Sequence, residues 1–181
     1  MKCLVVAVVL ALGATANTEK FSKEDLKKAL ESTNKLWTVA RNFERDDEGG
    51  PVSCVYDEKH SLDGDKYRFT HHYKVAEIWT ELPLYGSLEE ESGNVVLYVK
   101  RNEGDQGNRH VLRALDKEKH CFILAHKNET SNVEQCSLHV PDSIVFSELS
   151  AGAPCTKLYD ETCTEGIRRN IYNDKCRENR S

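Results

Sequence analysis

The chain has 181 residues, of which 39% are apolar, and a net charge of −5 from 25 basic and 30 acidic residues. This length predicts one domain. The acidic balance argues against nucleic acid as a partner, because phosphate binding requires a basic surface. Seven cysteines are the most unusual feature of the composition, and their chemistry depends on the compartment in which the chain folds.

Residues 1–16 have the pattern of a secretory signal peptide. Lys2 supplies the positive charge, residues 3–12 are mostly apolar, and Ala-Thr-Ala at 14–16 fits the small-x-small cleavage pattern. A membrane anchor is the alternative, but a spanning helix needs roughly 20 apolar residues. We therefore expect a secreted mature chain, residues 17–181, that forms a single domain without membrane contact.

Loss of this leader removes Cys3 and leaves an even set of six cysteines. The apolar fraction falls to about 35%, which is low for a globular domain. A weak core needs covalent reinforcement, which disulfides supply in an oxidising compartment. Zinc binding is the alternative, but the sequence contains no Cys-x-x-Cys pair. We expect disulfides and neither a metal nor another cofactor.

The mature sequence begins with a short amphipathic helix, predicted over residues 22–34. Ser22 can cap it with Asp25 three residues later, and Leu26 and Leu30 share one face. Eight strand-like segments follow, separated by turn-rich stretches. They cover residues 36–43, 53–56, 67–75, 78–85, 95–100, 110–115, 121–126 and 136–140.

Near the carboxyl terminus, Cys155, Tyr159 and Cys163 recur at spacings of four, which indicates one face of a trailing helix. A helix, eight consecutive short strands and a second helix favour an all-β, antiparallel up-and-down barrel, whose interior has room for one small ligand. A β-sandwich is the alternative. A sandwich fills its centre with apolar side chains, which the composition disfavours.

Several segments together resemble the tick salivary lipocalins, the histamine-binding-protein family, over about residues 25 to 178. They are the helix followed by LWTVARNFERDD, Cys54 in the second strand, DKEKHCFIL, QCSLHVP, and CTKLYDETC with IYNDKC in the tail. The resemblance implies a lipocalin barrel whose carboxyl-terminal helix is held by disulfides. It implies three pairs, namely Cys54–Cys176, Cys121–Cys155 and Cys136–Cys163, with an exchange of Cys136 and Cys121 as an alternative.

The same resemblance implies a protein that sequesters a host mediator and suppresses inflammation, either an amine such as histamine or serotonin or a lipid such as a leukotriene. An amine site needs carboxylates beside aromatic faces. A lipid site needs an apolar tube with basic or hydroxyl groups at its mouth. Asp46 and Phe43 occupy positions where amine-binding members place an acid and an aromatic residue. Glu77 and Glu81 lie near another family carboxylate position.

This sequence departs from the amine-binding pattern at QCSLHV. Ser137 replaces an acid and His139 replaces a tryptophan, which disfavours histamine in particular. Asp46, Glu77 and Glu81 also fit ordinary solvated positions. His139, if it points inward, would titrate between about pH 5 and 8 and gate the site.

Aromatic residues of the strands are a second set of candidate wall residues, although for each one taken singly core packing is the favoured interpretation. Trp37 has a further alternative, closure of the barrel bottom. The remaining histidines are scattered without a metal-ligand spacing. The aromatic candidates are Trp37, Tyr56, Phe69, Tyr73, Trp79, Tyr85 and Tyr98.

The sequence contains no GxSxG or phosphate-binding motif, so we expect no enzymatic activity. A complement or protease inhibitor is the alternative function. It would bind a host plasma protein through loops and outer strands such as 89–91. We expect a monomer. Asn128 begins a glycosylation sequon, and Asn179 begins a second one at the chain end.

Overall fold

The computed structural model describes residues 21–128 and 130–178, so the predicted leader and Asn179 lie outside the described residues. Its helices are α1 (Lys23–Glu31), α2 (Pro154–Thr162) and a 3-10 helix (Asp174–Arg177). The strands in chain order are β1 (Lys35–Arg41), β2 (Asp46–Asp47), β3 (Gly50–Pro51), β4 (Ser53–Asp63), β5 (Lys66–Val75), β6 (Ile78–Glu91), β7 (Asn94–Lys100), β8 (Asn108–Leu115), β9 (Phe122–Lys127), β10 (Glu134–Pro141) and β11 (Arg169–Asn170).

Eight of these strands, β1 and β4 to β10, form a closed antiparallel barrel. Each strand from β4 to β9 pairs with the next one along the chain, and β1 pairs with both β4 and β10. The expected up-and-down barrel is therefore confirmed, and each predicted segment overlaps one barrel strand. The sandwich alternative is wrong because the β1–β10 pairing closes the sheet on itself.

The helix α1 covers one end of the barrel. The Ser22 hydroxyl accepts from the Asp25 amide while the Asp25 carboxylate accepts from the Ser22 amide, the predicted reciprocal cap. Lys23 binds Asp65 at 2.6 Å, and Asp25 lies 3.5 Å from Lys117, so the helix contacts the β4–β5 and β8–β9 turns. Leu26 and other apolar residues of α1 are buried against inward-facing side chains of the strands.

Alternation along each strand separates the barrel interior from its outer layer. Tyr67, Phe69 and His71 line the interior, whereas His72 stacks on Tyr56 at the outer face with ring centroids 4.3 Å apart. The helix α2 packs on the outer faces of β9 and β10. This outer layer forms a second apolar cluster that contains Trp37, Ile123, Leu138 and Tyr159.

Two of the three expected disulfides are present, namely Cys54–Cys176 and Cys121–Cys155. They fasten the carboxyl-terminal segment and α2 to the barrel wall. Cys136 and Cys163 are free thiols in this structure, so the third expected bond is not formed. Their side chains are nevertheless in hydrogen-bonding contact, and this contact lowers the pKa of Cys136. Neither described α-helix has the length and apolar character needed to cross a membrane.

Candidate ligand-binding cavity

The barrel contains a cavity of about 1130 Å³. Its mouth lies at the end opposite α1, where β1 leaves the barrel and where the β7–β8 and β9–β10 loops meet. Arg45, Arg101 and Asn128 line this mouth. The wall nearer α1 is mainly aliphatic and aromatic, and it includes Leu36, Tyr67, Phe69, Leu84, Leu97, Phe122 and Leu124.

An acid and an imidazole meet inside this cavity. Asp57 on β4 pairs directly with His71 on β5, and the His71 Nδ1 lies 2.6 Å from the Asp57 Oδ1. Their side chains are 14% and 13% exposed. The wall thus presents a partly buried carboxylate to the cavity, which Phe69 also lines.

The other acids of the cavity lining are held by arginines. Glu44 lies 2.7 Å from Arg169, and Glu134 forms an ion pair with Arg113. Among the acids that line the cavity, Asp57 is thus the one whose hydrogen-bond partner is an imidazole. Glu44 and Glu134 are thus neutralised by arginines, whereas Asp57 is paired with a side chain that carries no permanent charge.

Three further histidines line the interior, namely His110, His126 and His139. Burial lowers the pKa of His139 to about 4. Burial, followed by the nearby His126, lowers the pKa of His110 to about 4 as well. These imidazoles are therefore neutral near pH 7, and each offers one donor and one acceptor nitrogen.

His139 belongs to a hydrogen-bonded chain of polar groups. Its Nε2 lies 2.9 Å from the Ser137 hydroxyl, and its Nδ1 lies 3.5 Å from the Thr38 hydroxyl. Its ring stacks on Phe122, with centroids 5.2 Å apart. In a hydrolytic triad a carboxylate orients the second nitrogen of the base. In this structure the group beside the second nitrogen of His139, Nδ1, is the Thr38 hydroxyl and not a carboxylate. This arrangement fits binding rather than nucleophilic attack.

Four of the nine residues predicted as ligand contacts line the cavity: Phe43, Tyr98, Ser137 and His139. The Phe43 ring lies edge-on to His126, with centroids 5.4 Å apart. The Tyr98 hydroxyl donates to Glu91.

The other five predicted contacts do not line the cavity. Trp37 lies on the face of β1 opposite Leu36 and Thr38, and its Nε1 donates to the Asp142 carboxylate at 2.6 Å. Trp79 packs against Tyr56 in the outer layer, with ring centroids 5.6 Å apart.

The three predicted acids lie outside the cavity for different reasons, and strand register explains only the first, Glu81. Glu81 lies opposite His72, and it points outward because the neighbouring pair of Leu82 and His71 points inward. Glu77 is in the β5–β6 turn with its side chain 85% exposed. Asp46 is exposed in the small β2–β3 hairpin rather than at the end of a barrel strand.

Sequence reasoning missed Asp57, His71, His110, His126, Thr38 and Arg41, all of which line the cavity. One signal for Asp57 was present. Cys54 and Tyr56 pack in the outer layer, so alternation places Val55 and Asp57 inside. The disulfide expected for Cys54 therefore marked the outer face of this strand.

A closed eight-stranded barrel, covered by a helix at one end and opening on a cavity with mixed polar and apolar walls, defines a lipocalin-type protein that binds small molecules. The family model for the tick histamine binding protein matches residues 14–178. The chain therefore belongs to the tick histamine-binding family, a family of ligand-binding proteins. None of the curated proteins compared with the chain matches it.

Proposed function

We propose that this chain is a secreted salivary protein that captures a biogenic amine of the host inside its barrel and thereby suppresses inflammation. Asp57 carries this proposal, as a partly buried carboxylate that lines the cavity and is paired with His71 rather than with an arginine. The name of the family, tick histamine binding protein, supports an amine as ligand.

The surroundings of Asp57 suit an ammonium group attached to an aromatic ring. A carboxylate–ammonium pair gains strength when water is excluded, and ring faces such as that of Phe69 add cation–π attraction. His110 and His139 are neutral near pH 7, so they accept hydrogen bonds without repelling a cation. The cavity thus combines one carboxylate that is paired with an imidazole rather than an arginine with several neutral acceptors.

Capture acts by stoichiometry rather than turnover. Each protein molecule removes one ligand from solution for as long as the complex lasts. The free mediator then falls only if the protein is present at a concentration above that of the mediator and above the dissociation constant. A slow dissociation rate, rather than a fast association rate, is what this function demands.

Isothermal titration calorimetry on the refolded chain, residues 17–181, tests the proposal. Histamine, serotonin, leukotriene B4 and a fatty acid are titrated in parallel. We expect heat of binding and a defined stoichiometry with at least one amine. Absence of binding by both amines overturns the proposal, and a plasma protein captured by the same preparation would then favour the inhibitor alternative.

A further inference from the structure

Two imidazoles face each other across neighbouring strands of the barrel wall. His110 belongs to β8 and His126 to β9, and they adjoin Val111 and Ala125, which are paired in the sheet. Both side chains line the cavity, with ring centroids 5.1 Å apart and ring planes inclined by 64°. Antiparallel pairing thus places two nitrogen ligands of the same kind side by side.

The separation of the two rings is the one that chelation of a metal ion requires. Two imidazoles that share a tetrahedral Zn²⁺, each bound through a nitrogen at about 2.0–2.1 Å, have ring centroids about 5 Å apart. The 5.1 Å between His110 and His126 agrees with this value. Their inclined planes also allow one nitrogen of each ring to converge on a common point, which parallel stacked rings do not.

The hydrogen bonds of the two rings leave nitrogens available to an ion. His126 is hydrogen-bonded to the side chain of Gln135, its partner on β10. Such a contact orients a ligating histidine through one nitrogen and leaves the other free for the metal. The edge-on contact with Phe43, at 5.4 Å between centroids, holds the same ring. His110 has no side-chain hydrogen bond within the described ranges.

The protonation state of the two rings suits a metal ion. Burial lowers the pKa of both, that of His110 to about 4, so both imidazoles are neutral near pH 7, the form that binds a metal. The permanent charges nearby have opposite signs, since Asp57 acts on His110 and Arg45 acts on His126. A cation gains from the first charge and loses to the second, so ligation by the imidazoles decides the affinity.

The site has two protein ligands. His139 is the next imidazole of the cavity, but its ring nitrogens contact the hydroxyls of Ser137 and Thr38. No group of three histidine, cysteine or acidic side chains with the arrangement of a metal site exists among the described residues. Water in the cavity therefore completes the coordination. Imidazole ligands suit Zn²⁺, Cu²⁺ and Ni²⁺, whereas Mg²⁺ and Ca²⁺ require oxygen ligands.

We propose that His110 and His126 form a binding site on the cavity wall for one late first-row divalent metal ion, for which Zn²⁺ is the probe. The site is separate from the amine contact at Asp57, so the inference does not depend on the proposed function. The sequence favoured no metal because its histidines lack a metal-ligand spacing, but strand pairing brings together two residues that are distant in the chain. With two protein ligands instead of four, we expect an exchangeable ion rather than a structural one.

Nuclear magnetic resonance of the ¹⁵N-labelled, oxidised chain, residues 17–181, tests the site directly. The ring nitrogen resonances of His110 and His126 are followed during titration with Zn²⁺ and, separately, with Mg²⁺. We expect both rings to shift saturably with Zn²⁺, to return on addition of EDTA, and to ignore Mg²⁺. Zinc-dependent shifts that omit either ring, or an equal response to Mg²⁺, would overturn the proposal.

Variants measured by calorimetric titration with Zn²⁺ give a second readout. His110→Gln should weaken zinc binding at least tenfold, since even the loss of a group that orients a metal ligand costs roughly 10- to 100-fold. Gln135→Leu should weaken it about tenfold for that same reason. His60→Gln, at an exposed position on β4, makes the same exchange outside the cavity and is the matched control.

Equal zinc affinity in His110→Gln and His60→Gln would refute the site. Amine titrations of the same proteins are carried out with EDTA present, so they report on Asp57 without a contribution from the metal. Loss of zinc binding with unchanged amine binding in His110→Gln is the expected pattern, and it keeps the two proposals distinguishable.

Discussion

Asp57 and His71 lie directly opposite each other on β4 and β5, and their side chains meet inside the barrel at 2.6 Å. Their chain neighbours Tyr56 and His72 form the next pair and stack on the outer face, with ring centroids 4.3 Å apart. One strand register thus places an acid–imidazole pair inside and an aromatic pair outside. A shift of one residue would exchange the two.

Replacement of the interior acid should weaken amine binding selectively. Asp57→Asn keeps the size of the side chain but removes the negative charge, so the ammonium group of the ligand loses its main partner. We expect the affinity for an amine ligand to fall about 30-fold or more, in line with the loss of one partner of a buried charge pair. Calorimetric titration of the variant with serotonin or histamine measures this change.

The adjacent residue offers a matched control for this experiment. Glu58 lies 3.3 Å from His72 on the outer face, so Glu58→Gln makes the same change of charge one position along the strand. Its amine affinity should equal that of the unmodified protein. If both variants bind amine equally well, Asp57 is not a ligand contact.

Acid should destabilise the fold through the interior histidines. The folded-state pKa of His139 and of His110 is about 4, below the ordinary value of 6.5. At pH values between about 4 and 6.5 the unfolded chain therefore binds more protons than the folded chain. The free energy of unfolding falls as the pH drops through this range. Across this pH range each histidine lowers the free energy of unfolding by on the order of 3 kcal/mol.

Urea unfolding at several pH values between about 7 and 4.5 checks this expectation. His139→Gln keeps a hydrogen-bonding side chain without titration, so its stability should depend less on pH than that of the unmodified protein. Identical pH dependence in this variant and in the unmodified protein would show that His139 does not titrate as described.

The two disulfides should differ in their contribution to stability. Cys54–Cys176 joins residues 122 positions apart, and Cys121–Cys155 joins residues 34 positions apart. By the entropy of loop closure, the first bond stabilises by about 5 kcal/mol and the second by about 4 kcal/mol. Chemical denaturation of the variants Cys54→Ala/Cys176→Ala and Cys121→Ala/Cys155→Ala compares them, and a greater loss from the second pair contradicts the entropic ranking.

The thiols of Cys136 and Cys163 should become joined if the chain is secreted, as we propose. Their side chains already touch, and an oxidising compartment converts two adjacent thiols into a disulfide. We expect no free thiol in the refolded, oxidised chain, residues 17–181, when it is unfolded and alkylated. Mass spectrometry of the alkylated protein gives the count, and two alkylated residues, Cys136 and Cys163, would rule out the third bond.

The order of the strands could be read from the sequence because it rests on local signals. Ser22 and Asp25 marked the start of α1, and turn-forming residues separated eight short segments, each of which is a barrel strand. The closure of the sheet into a barrel was predicted from the number of strands and from the resemblance to lipocalins. The pairings of Cys54 with Cys176 and of Cys121 with Cys155 came from that resemblance, and the structure contains both.

The identity of the interior side chains depended on long-range pairing. The register shifts between Thr38 and Ala40 in β1, and Val39 and Ala40 both pack in the outer cluster, so simple alternation fails there. Asp46 follows β1 in sequence but lies in a separate exposed hairpin, whereas Asp57 faces the cavity. Sequence by itself determined the strands and the barrel. Only the tertiary structure decided which acid and which histidines line the cavity, because register is set by partners distant in the chain.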